Sequence, residues 1–216
     1  MESKKHISMP VIKRLPRYYR YLSDLKRDGV ERISSASLSK LMKITASQIR
    51  QDLNCFGGFG QQGYGYSVDM LLDQIGTILG VKSEFRTIIV GAGNMGQAIA
   101  NYPSFVSRGF RIMGIFDNDI EKIGNEINGL KIMPITDMEK FIKKNNISVA
   151  MITTPRRAAK EVALRAVDAG VKALWNVSPM GLNLKGDIIL ENVHLNDGLM
   201  VLSYRLNELK EKENEY

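Results

Sequence analysis

Cysteine is almost missing from these 216 residues: Cys55 stands alone. With no second thiol an intramolecular disulfide is excluded, and one thiol beside two histidines is a poor ligand set for structural zinc, so no metal site is expected. Long apolar runs are lacking too. None approaches the roughly 20 residues of a membrane span, and the opening MESKKHISMP has no apolar stretch of the secretory kind. The expectation is a cytoplasmic protein with no membrane partner. What is present is 44% apolar and 25% charged residues, scattered along the chain, which excludes wholesale disorder and collagen-like repeats. The length suits one large domain or two small ones.

The charge is unevenly divided. Residues 1–82 carry 13 Lys+Arg against 7 Asp+Glu, whereas residues 83–216 carry 17 against 16. A basic N-terminal third suggests a polyanion partner for that part, although a solvated basic surface gives the same asymmetry.

Pro16 followed by RYYRYLSDLKRDG reads as a first helix with proline in its first turn and Gly29 as the stop. A second short helix fits Ser34 to Met42, with Leu38 and Leu41 facing a core. A third starts at Thr45-Ala46-Ser47-Gln48, a capping box in which Gln48 is expected to reach back, with Ile44 and Ile49 placed as a hydrophobic staple. Ile49 and Leu53 lie on one face of it, leaving Ala46, Ser47, Arg50, Gln51 and Asn54 on the other. A short turn before a helix displaying Ser, Arg and Gln is what a helix-turn-helix presents to a major groove, since Arg can pair bidentately with guanine and Gln with adenine. A plain surface helix has the same look. Next, CFGGFGQQGYGYSV sets five glycines among Phe59, Tyr64 and Tyr66, as in a tight two-stranded wing anchored by aromatics. It has no Gly-Lys-Ser/Thr of a P-loop. An amphipathic helix carrying Val68, Leu71, Leu72, Ile75, Ile78 and Leu79 closes a winged-helix domain over residues 1–80. Cys55 reads as a packed thiol, because no resolving cysteine exists for a redox pair.

The apolar strand RTIIV then runs into Gly91-x-Gly93-x-x-Gly96 and a helix, the context that a dinucleotide fingerprint requires. Gly91 permits the turn, Gly93 admits a pyrophosphate, Gly96 lets helix pack on strand, and the helix start at Asn94 and Met95 attracts phosphate. A second strand, FRIMGIFD, ends at Asp117, where a carboxylate can hold ribose hydroxyls and repel a 2′-phosphate, favouring NAD(H) over NADP(H); Asp119 is an alternative, and an ordinary strand-end carboxylate another. Further strands are expected at Lys131–Pro134, Val149–Thr153, Ala173–Val177 and Ile188–Glu191, with helices at Thr136–Asn145 and Arg157–Ala169, giving an α/β doubly wound parallel sheet over residues 81–193. Its ligand-lining turns would be Thr153-Thr154-Pro155, with Thr153 and Pro155 as cofactor contacts, and Asn176-Val177-Ser178-Pro179, while Trp175 reads as core. The last helix, from Leu195, places Leu199, Leu202, Leu206 and Leu209 in a narrow stripe that must pack on its own sheet or on a partner subunit.

The segments QIRQDLNCFGGFGQQGYGYSV, IIVGAGNMGQAIANYPSF and GIFDNDIEKIG, in that order, resemble the Rex family of redox-sensing transcriptional repressors, and the likeness covers nearly the whole chain. The resemblance implies a homodimer on double-stranded, pseudo-palindromic operator DNA, released by NADH so that the NADH/NAD+ ratio controls anaerobic and fermentative genes. It implies an exchanged C-terminal helix (194–216). On its pattern Ser47, Arg50 and Gln51 read the DNA with Gln61, Gln62 and Tyr64 on the wing, Tyr102 lies near the nicotinamide, and Arg20 and His194 couple the domains. Three departures stand out: Arg50-Gln51 replaces an Arg-Lys pair, Gln61-Gln62 replaces a basic wing tip, and His194 stands where some members have an aspartate that partners the tyrosine. Two missing cations flatten the expected salt dependence by up to about two units of slope. The alternative is an NAD-dependent dehydrogenase, which lacks an obvious catalytic acid/base.

Overall fold

Helix α1 (Met9–Arg27) begins well before Pro16, which lies inside it, so the expected start at Pro16 is wrong. The reason is the apolar stripe: Val11, Leu15, Tyr18 and Leu22, four, three and four apart, are buried along one face, and Pro10 takes the first-turn position instead. Pro16 sits on the exposed face, where water can serve the carbonyl that lacks a partner. Gly29, at φ +76°, ends the helix as anticipated, with the Val30 N–H donating to Leu25 O at 2.9 Å. The computed structural model describes residues 7–56, 60–61 and 64–214. They divide into two units, Met1–Ser83 and Glu84–Tyr216.

In the first unit Ser34 caps α2 (Ser35–Met42), accepting from the Ser37 N–H at 3.0 Å. Leu38 is buried, but Leu41 is exposed and Met42 takes its place, because residues four apart, not three, meet the core on this short helix. Lys43 turns the chain at φ +52°. Thr45 then caps α3 (Ala46–Asn54), accepting from the Gln48 N–H at 3.1 Å, and Ile44 and Ile49 both join the core. A small antiparallel sheet of β1 (Arg32–Ile33), β2 (Gly60–Gln61) and β3 (Gly65–Ser67), ordered β1-β3-β2, forms the wing stem. β1 was not apparent from two residues of sequence. Gly65 adopts φ +72°, and a Cβ there would lie 2.8 Å from Ile33 O, so only glycine lets β3 pass this close to β1. Tyr66 is buried and anchors the hairpin, Tyr64 is exposed, and Phe59 lies outside the described residues. Helix α4 (Val68–Ile78) buries Val68, Leu71 and Ile75 and meets the Tyr19 ring of α1 at Gly76.

The second unit holds β4 (Phe85–Val90), α5 (Asn94–Ala100), β5 (Phe110–Asp117), β6 (Glu126–Ile127), β7 (Leu130–Pro134), α6 (Met138–Asn145), β8 (Val149–Ile152), α7 (Arg156–Asp168), β9 (Ala173–Asn176), β10 (Ile189–Asn192) and α8 (Leu195–Asn214). The sheet runs β10-β9-β8-β4-β5-β7-β6, parallel except for the short β6. Without β6 this is the doubly wound dinucleotide-binding order, with its switch point between β4 and β8. Central strands are buried on both faces, as Val149–Ile152 illustrates, which is why they read as continuous apolar runs. The unforeseen β6 pairs with β7 as an edge hairpin, so no helix crosses between β5 and β7. Helix α8 leaves its stripe uncovered: Leu199, Leu202, Leu206 and Leu209 are 62, 53, 49 and 57% exposed. Packing of that stripe on its own sheet is therefore ruled out.

Candidate nucleotide crevice and nucleic-acid interface

The crevice begins where β4 stops. Gly91, at φ +108°, donates its N–H to Phe116 O at 2.8 Å, and a Cβ on it would lie 2.9 Å from the backbone of Thr153 and Thr154. Gly96 is tighter still, since a Cβ would enter the carbonyl oxygen of Gly91. Gly93 differs: a Cβ there meets nothing within 4 Å, open space at the start of α5 on the side of the cavity. Gly91 and Gly96 are thus required by close backbone packing, and Gly93 leaves room beside the helix start.

Asp117 is 9% exposed, and its carboxylate clasps two loops. Oδ2 accepts the Ala92 N–H at 2.6 Å and Oδ1 the Asp119 N–H at 2.9 Å, so the group braces the glycine turn as well as facing the cavity. Asp119 pairs with Lys122 at 2.9 Å, which holds its carboxyl below the usual range. Thr153 Oγ1 donates toward the carbonyls of Gly91, at 2.7 Å, and Val90, at 3.0 Å, locking the turn from the β8 side. The neighbouring Thr154 hydroxyl is buried without a hydrogen-bond partner among the described residues.

Gly91, Gly93, Asp117, Asp119, Thr153 and Thr154 line a cavity of about 1050 Å³, with Asn94, Met95, Pro155, Val177, Ser178 and His194 on its walls, while Gly96 lies behind them against Gly91 and does not line it. Lys122, Arg157 and Arg165 also line it, three cations that the sequence pattern had not singled out, of which Lys122 is paired with Asp119 and Arg165 with Glu139. The turn after β9 is held by a buried polar network: Asn176 donates to Asn192 Oδ1 and Met180 O, each at 2.7 Å, and accepts from Ser178 Oγ at 2.6 Å. Asn176 is therefore a turn-holder and Ser178 serves both purposes. Tyr102 does not line the cavity of the single chain; it is 58% exposed and tilts against Phe105, which meets Trp175 edge-on. Trp175 packs as expected. His194 reaches the cavity wall beside Gly181, and no hydrogen bond joins it to Tyr102.

In the first unit Ser47, Arg50 and Gln51 share the exposed face of α3, and Arg50 donates to Ser35 Oγ at 3.2 Å. Gln48 does not reach back to Thr45 as expected. Its amide donates to Asp52 Oδ1 at 2.9 Å, because Asp52 is a buried carboxylate that needs donors. Arg14 supplies two more and Tyr18 a fourth. Burial alone would raise the Asp52 pKa, but these donors hold it below the ordinary carboxylate value, while burial and the bond to Asp52 push Tyr18 up. This cluster was missed because its members lie 34 and 38 residues apart. Arg20 is exposed, with its guanidinium 5.6 Å from the Tyr21 ring, and Cys55 Sγ donates to Gln51 O at 3.4 Å. Gln61 enters β2 through its backbone; Gln62 lies outside the described residues.

A family model for a putative DNA-binding protein N-terminus matches residues 6–54, and one for a CoA binding domain matches residues 82–180. The chain is 50% identical over 214 residues, 99% of its length and 98% of the relative's, to the redox-sensing transcriptional repressor Rex of Caldicellulosiruptor saccharolyticus. It belongs to the Rex family. Three solved structures of the Rex-family repressor RSP superimpose on this Rex chain. RSP in complex with β-NAD+ and operator DNA gives a TM-score of 0.88 at 51% identity, covering 97% of this chain and 96% of that one. RSP in complex with β-NADH gives 0.89 at 48%, covering 97% and 99%. The Rex family's two-domain order, DNA-binding unit then parallel sheet, is the order found here.

Proposed function

We propose that this Rex-family protein is a homodimeric repressor, without chemistry of its own, that holds a pseudo-palindromic operator when NADH is scarce and leaves it when NADH binds. The observation that carries this reading is the 51% identity, over 97% of the chain, to a repressor whose solved structure contains both β-NAD+ and operator DNA. The crevice suits a dinucleotide: Gly93 borders open space, Arg157 supplies a cation with no carboxylate partner among the described residues, and Thr154 carries a hydroxyl in need of a partner. Gly91, Gly93, Asn94 and Met95 would cradle the pyrophosphate and Asp117 the adenosine ribose, with Thr153 and Pro155 along the wall. When bound, the cofactor contributes a nicotinamide ring whose charge and planarity report its redox state.

Residues 1–80 would read DNA through Ser47, Arg50 and Gln51 in the major groove and Gln61, Gln62 and Tyr64 on the wing. Residues 81–193 would hold NAD(H), and residues 194–216 would cross to a partner subunit. The bare leucine stripe of α8 supports that exchange. It would also bring a second subunit's helix to the exposed Tyr102, with His194 and Arg20 coupling ligand state to the DNA-binding units. A repressor of this kind works in the cytoplasm, where the DNA is; no helix among the described residues is long and apolar enough to cross a membrane.

Ligand shifts such a two-state dimer only through unequal affinity for the states, and a swing from 1:99 to 99:1 requires about 10⁴-fold discrimination. The test is a mobility shift on a palindromic site library, alone and with NADH, NAD+ or NADPH. NADH alone is expected to release the DNA; release by NAD+ with no effect of NADH would overturn the assignment. Steady turnover of NADH with a small carbonyl compound would reinstate the dehydrogenase alternative.

A further inference from the structure

We propose that Arg32 is a phosphate-binding cation at the base of the wing, held ready by Tyr64; this rests on the DNA-binding reading above. Arg32 donates from Nε to Tyr64 O at 3.1 Å and from Nη2 to Gly65 O at 3.4 Å, and its guanidinium carbon lies 4.3 Å from the centroid of the Tyr64 ring. Three contacts fix the plane of a side chain that is otherwise long and mobile. Both residues are exposed, so the arrangement is a surface feature rather than core packing.

Charge is what gives the arrangement a function. Arg14, Lys26, Arg27 and Lys82 of the same unit are each paired with a carboxylate; Arg32, like Arg17, Lys40, Lys43 and Arg50, has no acidic partner among the described residues. The hairpin segment from Gly57 to Ser67 contains no Lys or Arg, and Arg32 is the one cation in the three strands of the wing sheet. The two carbonyls engage Nε and Nη2 and leave Nη1 without an acceptor among the described residues. A guanidinium bonded along one edge and stacked on an aromatic loses little further freedom when its other donors meet an anion. The ligand chemistry is a backbone phosphate of the duplex, whose oxygens match that fork.

The test measures binding of full-length protein to operator and to unrelated duplex across a salt range. Arg32→Ala is expected to weaken both duplexes alike and to lower the slope of log K against log salt by about 0.9, the value of one phosphate contact. Arg32→Gln, which retains a donor for the strand carbonyls, should show the same loss of slope, and Arg32→Lys should keep it. NADH affinity should not change in any of them. Weaker binding at an unchanged slope would make Arg32 a brace for the wing and overturn the proposal, as would no change at all. Wild-type protein that binds neither duplex would overturn the proposed function, and this inference with it.

Discussion

Arg14 of α1 grips Asp52 of α3 with two bonds, Nε to Oδ2 at 2.7 Å and Nη2 to Oδ1 at 2.6 Å. The carboxylate is fully buried and the guanidinium only partly, so the pair ties the helix that displays Ser47, Arg50 and Gln51 to the scaffold behind it. Tyr18 and Gln48 complete the shell at 3.0 and 2.9 Å. A helix proposed to read DNA must be held in one pose, and for α3 a polar clamp adds to the apolar contacts of Ile49 and Leu53.

Removing that charge tests the clamp. Asp52→Asn leaves Arg14 facing a neutral amide and should destabilise the DNA-binding unit by about 3 kcal/mol. The Asp52 pKa is depressed in the folded state, so its contribution is present above the unfolded value of about 3.9 and is lost as pH falls through the lower folded value. Urea unfolding at pH 7 and pH 3 checks this: the gap between wild type and variant should be smaller at the second than at the first.

Arg50→Ala should abolish operator binding while NADH affinity stays the same, because Arg50 bonds Ser35 within the first unit and the crevice is lined by residues of the second. Isothermal titration of NADH beside a mobility shift separates the two effects.

Gly96→Ala should do the reverse. Its methyl would collide with Gly91 O, a rigid backbone atom, so the penalty should reach or exceed the ~1–3 kcal/mol usual for overpacking. The expected protein binds operator yet no longer responds to NADH.

Asp117→Ala removes an acceptor from two backbone N–H groups as well as the group assigned to the ribose. Hydrogen bonds to a charged group contribute about 1.5–3 kcal/mol, so NADH affinity should fall about tenfold or more, and NADPH affinity should not rise to the wild-type NADH level. Fluorescence titration with both cofactors decides it; a clean switch of preference would mean that the carboxylate does not brace the turn.

Deleting residues 195–216 should convert dimer to monomer, since the leucines at 199, 202, 206 and 209 have no cover among the described residues of their own chain. Light scattering at micromolar concentration reads the mass directly. A truncated protein that stays dimeric would dismiss the exchanged-helix assignment.

Much of this architecture was legible in the sequence because the signals are local. The Thr45 cap, the strand–glycine–helix sequence around Gly91 and the alternation of strands and helices each follow from interactions within a few residues, so a linear pattern is enough to show them. Pro16 misled for the same reason: a local rule placed it in a first turn, while the longer stripe from Val11 to Leu22 carried the helix through it.

The order of domains, the glycine turn and the polar face of α3 were thus settled by the chain's own pattern of side chains. Tertiary structure alone decided that Asp52 is buried and bonded four times, that Asp117 clasps two loops, that Tyr102 stands off the cavity while His194 reaches it, and that α8 is left bare. Burial of a charge depends on which distant donors arrive beside it, and a helix finds its cover only where a complementary surface exists. Neither condition can be read from residues that are neighbours only in sequence.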